Sequence, residues 1–209
     1  MLLTATDLGK TYDGRPVLTG VSFTLAQGER ALLLGPSGSG KSTLLNLLCA
    51  LQQADRGRVT LADAPISDAV RRRHFGIVFQ SLRLVSALSV RGNLALAQKL
   101  QTGRADPALI DTLLDRLGIA QRAHARPHEL SQGEAQRAAI ARALAVRPAI
   151  LIADEPTSAL DAANAAAVAE LLGELAEEAA ATLLVATHDD RLRPHFTRTL
   201  TLAQGRLAA

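Results

Sequence analysis

A glycine-rich stretch, Gly35-Pro36-Ser37-Gly38-Ser39-Gly40-Lys41-Ser42, constrains this chain more than any other feature, because it fits the phosphate-loop pattern G-x-x-x-x-G-K-[ST]. The apolar run Ala31 to Leu34 before it reads as a buried strand, and the leucine-rich stretch Thr43 to Leu51 after it as a packed helix. That strand–loop–helix setting is what the pattern needs. Glycine lets successive backbone N–H groups turn inward, and the helix N-terminus adds positive potential, so the loop can cradle phosphates. In such a loop Lys41 reaches the β- and γ-phosphates and the Ser42 hydroxyl meets Mg²⁺. From ordinary residue usage the pattern arises by chance in well under ~1% of chains this long. A site for a nucleoside triphosphate is therefore expected.

The rest of the composition narrows the class. The chain has 209 residues, 48% hydrophobic and 21% charged, which suits one globular domain with a full core. No apolar run approaches the ~18 residues of a membrane span. The opening segment, Met1 to Lys10, carries Asp7 and lacks a signal-peptide core, so any membrane role is expected to come from another chain. The lone Cys49 falls on the helix after the phosphate loop and reads as core packing; one cysteine excludes an internal disulfide and fits the cytosol. Net charge is only +3. The basic cluster Arg71-Arg72-Arg73-His74 reads as a solvated face, and aromatics at 2% are too few for a base-stacking platform, so nucleic acid is not expected as a partner.

Along the chain, strand-like stretches fill the first third: Leu2 to Thr6, Val17 to Leu25, Arg30 to Leu34, Arg58 to Leu61 and Phe75 to Gln80. Turns at Asp13-Gly14 and Gln27-Gly28 punctuate them. In the middle third Asp106-Pro107 is an N-cap followed by proline at the first helical position. Leu109, Ile110, Leu113, Leu114 and Leu117 then recur at helical spacing, and Gly118 supplies the stop. Residues 81–145 read as an inserted helical lobe. The last third alternates again: a buried strand Ala149 to Ala153, an alanine-rich helix capped by Asp161 and running to about Ala179, and a buried strand Ala181 to Thr187. Such alternation implies a parallel sheet with helices on its faces. There is no internal repeat, hence one nucleotide cassette, and no C-terminal extension long enough for a regulatory domain is expected.

Two further constellations carry chemistry. Ile150-Leu151-Ile152-Ala153-Asp154-Glu155 is an apolar strand ending in two acids, and a parallel strand delivers its last residues to the carboxyl edge of the sheet, where ligands bind. Asp154 is placed to hold Mg²⁺ opposite Ser42, and Glu155 to orient and deprotonate a water at the γ-phosphate. Ser131-Gln132-Gly133-Glu134 is a capping box, S-x-x-E, opening a helix to Ala145. Its exposed N–H groups and hydroxyl also make an anion site.

Leu130-Ser131-Gln132-Gly133-Glu134, with Ser131 placed 23 residues before Asp154, resembles the signature L-S-G-G-Q of the ATP-binding cassette family. Tyr12 matches the aromatic that stacks on adenine, and Gln80, ending the strand Phe75 to Gln80, matches the glutamine that touches Mg²⁺ and the attacking water. Ser158-Ala159-Leu160-Asp161 matches the loop that crosses to the other subunit, and His188, in Ala186-Thr187-His188-Asp189, matches the histidine that senses the γ-phosphate. The resemblance covers essentially the whole chain. Gln132 departs from it by placing a side chain where the family has glycine, and Glu134 by replacing glutamine. Gly133 is retained, as a position expected to need unusual backbone freedom or a close approach.

The resemblance implies an α/β fold: a phosphate-loop NTPase (RecA-like) core with an N-terminal antiparallel β subdomain and an inserted α-helical subdomain. It implies that two copies close head-to-tail on two ATP molecules. Each ATP would lie between Tyr12 and the loop Gly35 to Thr43 of one copy and Ser131, Gln132, Gly133, Glu134 and Asp161 of the other. Glu155 would be the base, and His188 and Lys41 would stabilise the γ-phosphoryl group. Ser42, Gln80 and Asp154 would surround Mg²⁺. Integral membrane permease subunits, docked on Ser81 to Leu94, would be the partners, placing the chain peripherally at the cytoplasmic face of the inner membrane. Within the family, the segments Phe75 to Gln80 and Pro127 to Ser131, with Glu134 and Ala153, resemble the lipoprotein-release and macrolide-export branch. Ser158-Ala159 is shared with amino-acid importers. An exporter or lipoprotein extractor is therefore expected; an importer, or a non-transport machine that signals through membrane partners, is the alternative.

Overall fold

A hairpin opens the chain. Asp13 and Gly14, both left-handed (φ 48° and 77°), turn β1 (Leu3–Tyr12) back onto β2 (Arg15–Leu25), as an Asp-Gly pair between strands predicts. The computed structural model describes residues 2–157 and 162–208. β1 also pairs antiparallel with β4 (Arg56–Leu61), which folds onto the short β5 (Ala64–Pro65), giving a four-stranded antiparallel sheet in the order β2-β1-β4-β5.

The second sheet runs through the middle of the molecule in the order β10-β9-β3-β8-β7-β6. Its members are β3 (Arg30–Leu34), β6 (Phe75–Val78), β7 (Ile150–Asp154), β8 (Thr182–Thr187), β9 (Arg198–Ala203) and β10 (Arg206–Leu207). All pairings are parallel except that of the terminal β10. Because strand side chains alternate, one sheet feeds two cores. Ala31, Leu33, Ile150, Ile152, Leu184 and Ala186 face α1 (Lys41–Leu48) and the antiparallel sheet. Leu32, Leu34, Leu151, Ala153, Leu183 and Val185 face the helices on the other side. This explains why β7 and β8 read as uninterrupted apolar runs.

The helices on that second side are α3 (Val90–Thr102), α4 (Pro107–Arg116), α5 (Gln132–Leu144) and α6 (Ala162–Glu178). Asp106 caps α4 with its side chain on the Leu109 N–H, and Gly118 is left-handed just past its end, both as expected. Ile110, Leu113 and Leu114 of α4 belong to the same core as Leu34 and Leu151 of the sheet.

Several boundaries differ from the sequence reading. The helix after the phosphate loop stops at Leu48, not Leu51. Ala50 turns left-handed (φ 49°), and the N–H groups of Ala50 and Leu51 return to the carbonyls of Leu47 (3.0 Å) and Asn46 (2.8 Å). This is a Schellman closure made without the glycine that would have announced it. The strand expected to reach Gln80 ends at Val78, and Gln80 lies in the following turn. The basic cluster sits on an additional helix, α2 (Asp68–His74), capped by Ser67 and burying none of its residues. β9 and β10 were also not foreseen. Asp161 and Ser158 to Leu160 lie outside the described residues. No helix among the described residues is long and apolar enough to cross a membrane.

Candidate active site

The phosphate loop leaves β3 at Leu34 and enters α1 at Lys41. Its path requires glycine at both ends. A Cβ on Gly35 would stand 2.3 Å from the Leu202 carbonyl oxygen, and Gly40 holds φ +102° with Leu18 Cδ2 2.9 Å from where its Cβ would be. The Lys41 side chain, 6% exposed, folds back over the loop. Its Nζ donates to the Gly35 carbonyl at 2.8 Å and lies 3.2 Å from Glu155 Oε1. A buried ammonium has to be paired, and here the loop and the strand-end carboxylate pair it.

Glu155 follows the last residue of β7. It is left-handed (φ 48°), and its N–H donates to the Ala186 carbonyl at 2.8 Å, so the backbone bend is pinned to β8. Its side chain, 9% exposed, accepts the Thr187 hydroxyl at 3.1 Å, and His188 Nδ1 lies 3.0 Å from Oε2. Thr187 in turn accepts the Asp189 N–H at 3.1 Å. The carboxylate is thereby held by three side chains: Lys41, Thr187 and His188. Thr187 stands in a quoted motif yet had no role in the sequence reading. The β7–β8 register, Asp154 beside Ala186, is what brings it to Glu155.

Next to this cluster, Asp154 Oδ1 is buried with no hydrogen-bond partner, and so is Ser39 Oγ inside the loop. Burial pushes the Asp154 carboxyl above the usual carboxylate range, against a hydrogen bond from the Ser42 hydroxyl; the charge of Glu155 pushes it further, and Lys41 opposes. An orphaned carboxylate oxygen beside a hydroxyl is the hard, all-oxygen donor set that suits Mg²⁺. Lys41, Ser42, Thr43, Gln80 and Glu155 line one cavity of about 430 Å³ with Gly38. Gln80 thus reaches the cavity from a turn, not from a strand end. That turn is itself built: Leu82 and Arg83 are both left-handed, and the Arg142 guanidinium of α5 donates to both of their carbonyls, 2.9 Å at Leu82.

The remaining expected residues stand elsewhere. Tyr12, 39% exposed at the end of β1, donates its hydroxyl to Gln52 at 2.6 Å and carries the Lys10 ammonium 5.5 Å above its ring. Ser131 to Glu134 open α5 outside the cavity. The capping box is complete: Ser131 Oγ accepts the Glu134 N–H at 3.3 Å, and Glu134 Oε2 accepts the Ser131 N–H at 2.8 Å. Arg122 donates to Glu134 Oε1 at 2.7 Å. Gly133, expected to need unusual backbone freedom, does not need it within this chain. It is helical, and the nearest atom to an added Cβ is the end of Arg137 at 3.5 Å. Cys49 is buried in the core under α1, and burial pushes its thiol up to about 12, so it is an inert packing residue.

A phosphate loop on one strand end, a histidine after the neighbouring strand and an acidic pair one strand further define a nucleotide-hydrolysing cassette. A model of the ABC transporter family matches residues 18–158. The lipoprotein-releasing system ATP-binding protein LolD of Hydrogenovibrio crunogenus is 39% identical over 98% of this chain and 95% of its own length. LolD of Anaeromyxobacter dehalogenans is 42% identical over 93% and 85%. Among solved structures, the dimeric MJ0796, a bacterial ABC transporter cassette, superposes with a TM-score of 0.91 at 32% identity, covering 99% of this chain and 97% of that one. A post-hydrolysis form of the same cassette, bound to ADP and Pi, gives 0.90. The chain belongs to the ABC transporter family. Within it, the chain is the ATP-binding and ATP-hydrolysing subunit of a membrane transporter.

Proposed function

We propose that the chain, a single nucleotide-binding domain with its helical lobe at about 81–145, binds ATP with Mg²⁺ and closes head-to-tail with a second copy. Closure powers export, or the extraction of lipid or lipid-anchored protein, through a permease at the cytoplasmic face of the inner membrane. The observation that carries this is the shared cavity: Lys41, Ser42, Gln80 and Glu155 face one space, with the unpartnered Asp154 oxygen beside Ser42. The branch assignment is supported by relatives named for lipoprotein release, at 36% to 42% identity.

Ser42, Asp154 and Gln80 would hold Mg²⁺, and the ion would neutralise the charge that develops on the phosphates. The ATP phosphates would offer Lys41 a stronger acceptor than the Gly35 carbonyl and draw its ammonium from Glu155. That leaves Glu155 held by Thr187 and His188, with a free lone pair for the attacking water. Glu155 orients that water and takes its proton, and its pinned backbone fixes where the proton goes. His188, more than half exposed beside Glu155, would then turn a ring N–H to the γ-phosphoryl oxygens. Across the dimer, Ser131 of the second copy would donate its hydroxyl to the same phosphate, with Gln132, Gly133, Glu134 and Asp161 beside it. Tyr12 would meet the adenine. Ser81 to Leu94 would face the permease.

The Glu155→Gln chain, sized in solution with and without Mg-ATP, tests this. An ATP-dependent dimer whose hydrolysis is at least ~100-fold below wild type is expected. A chain that binds ATP and stays monomeric would overturn the head-to-tail reading, and undiminished hydrolysis would remove Glu155 as the base.

A further inference from the structure

Glu134 places a carboxylate on the helix start where, under the reading above, the second copy's triphosphate lands. A bare anion there opposes the ligand. This one is not bare. Its Oε2 accepts the Ser131 N–H at 2.8 Å, and its Oε1 accepts Arg122 Nε at 2.7 Å. The Arg122 guanidinium, first, and then the Ser131 N–H hold its carboxyl down at about 2, so Glu134 is charged at every physiological pH. The carboxylate side chain is 14% exposed and the guanidinium 44%, so the positive partner is the one turned to solvent.

Arg122 is also delivered from a fixed base. It ends a short helical turn, Ala120–Arg122, whose start is tied by the Arg122 N–H to the Ile119 carbonyl at 2.9 Å, and Ile119 is fully buried. Through Glu134, Arg122 acts on Ser131. The Ser131 oxygen accepts the Glu134 N–H, so its hydroxyl hydrogen is left to donate outward. An exposed ion pair adds little to folding, so stability alone does not account for a pair built this way.

We propose that Arg122 is a positioning residue for the shared nucleotide site: it cancels the charge of Glu134 and locks the capping box, so that Ser131 can offer its hydroxyl to the second copy's triphosphate. This rests on the head-to-tail reading. The guanidinium's remaining N–H groups keep the potential at this helix start positive, which the helix N-terminus alone would lose to the carboxylate.

The test uses Glu155→Gln as parent and follows the ATP concentration that gives half-maximal dimer, by sedimentation, together with the melting temperature of each nucleotide-free chain. Arg122→Ala is expected to raise that concentration about tenfold, a change of about 1.4 kcal/mol. Adding Glu134→Gln to Arg122→Ala is expected to recover most of the loss, because it removes the charge that Arg122 balanced. Arg122→Lys, which keeps the charge and loses the fork, is expected to fall between parent and Arg122→Ala, and serves in its place if that variant does not fold. Melting temperatures should move little in all of them. A dimerising parent that Arg122→Ala does not weaken, or whose loss Glu134→Gln does not recover, would remove the role of Arg122 alone. A parent that stays monomeric in Mg-ATP would remove the shared site and this role with it.

Discussion

The cavity at the carboxyl edge of the parallel sheet and the opening of α5 are both sites for anions, yet they are built on opposite terms. In the cavity, charges are buried and mutually dependent: Lys41 at 6% and Glu155 at 9% exposure hold one another, and the Asp154 oxygen is left with no partner at all. At Ser131 the capping box is closed and in reach of solvent, with Glu134 answered by Ser131 and Arg122 and the Ser131 hydroxyl hydrogen left to donate outward. The first region is unsatisfied without a ligand. The second is complete in itself and has no obligatory ligand within the chain. Perturbing the first should therefore exchange stability against activity, whereas perturbing the second should change binding out of proportion to stability.

The largest separation is expected at Asp154. Its folded-state carboxyl is raised, so its contribution to stability is full below the unfolded-state value and lost as pH rises through the folded one. At neutral pH, above the unfolded-state value, Asp154 therefore leaves the nucleotide-free fold weaker than it is in acid. Asp154→Asn removes the charge and keeps the shape. Hydrolysis should fall at least ~100-fold, because the cation loses the buried, unpartnered Asp154 oxygen. The melting temperature of the nucleotide-free chain at pH 7 should rise, and the gain over wild type should shrink as the pH is lowered and Asp154 takes up its proton. A lower melting temperature at pH 7 would show that Asp154 stabilises the empty fold, and would break the comparison at its first region.

How much of this was legible follows from distance along the chain. The phosphate loop, the Asp154–Glu155 pair and the Ser131 cap are each contiguous, and a contiguous pattern carries its own geometry. The parallel sheet was legible too, because β7 and β8 are apolar on both faces. The antiparallel sheet was expected from the family resemblance, the residues giving only the Asp-Gly turn between β1 and β2. What was missed has other causes. α2 buries none of its residues, so it has no apolar stripe to read. β9 alternates Leu200 and Leu202 with threonine, a signal that was present but short and shared with loops. Thr187 meets Glu155 across 32 residues and Arg142 meets Leu82 across 60, contacts that only strand register and helix packing create.

A smaller effect is expected at Ser131. Serine at an N-cap is worth about 1 kcal/mol over alanine, so Ser131→Ala should lower the unfolding free energy measured in urea by that amount. A cap alone predicts nothing more. A donor to the second copy's phosphate predicts that hydrolysis falls about tenfold as well, and that the fall persists in a variant whose lost stability has been restored elsewhere. Hydrolysis that tracks stability and nothing else would return Ser131 to a purely structural role.

The smallest stability change, and the sharpest contrast, belongs to Gly133. Glycine costs a helix interior up to about 1 kcal/mol relative to alanine, and in this chain nothing stands in the way of a methyl group there: the nearest atom is the mobile end of Arg137 at 3.5 Å. At Gly40 the same methyl would meet Leu18 at 2.9 Å on a left-handed backbone, so that glycine is required by the fold itself. Gly133→Ala should therefore stabilise the nucleotide-free chain by a few tenths of a kcal/mol, given its place in the first turn where the helix is least demanding. In the Glu155→Gln background the same substitution should weaken ATP-dependent dimerisation, because the space open in one chain is the space a second chain's nucleotide would occupy. A variant that is more stable alone and less able to pair would assign the need for glycine to the partner. One that pairs as well as its parent would mean that no ligand approaches α5 at this turn, and that the exposed start of the helix is only a cap.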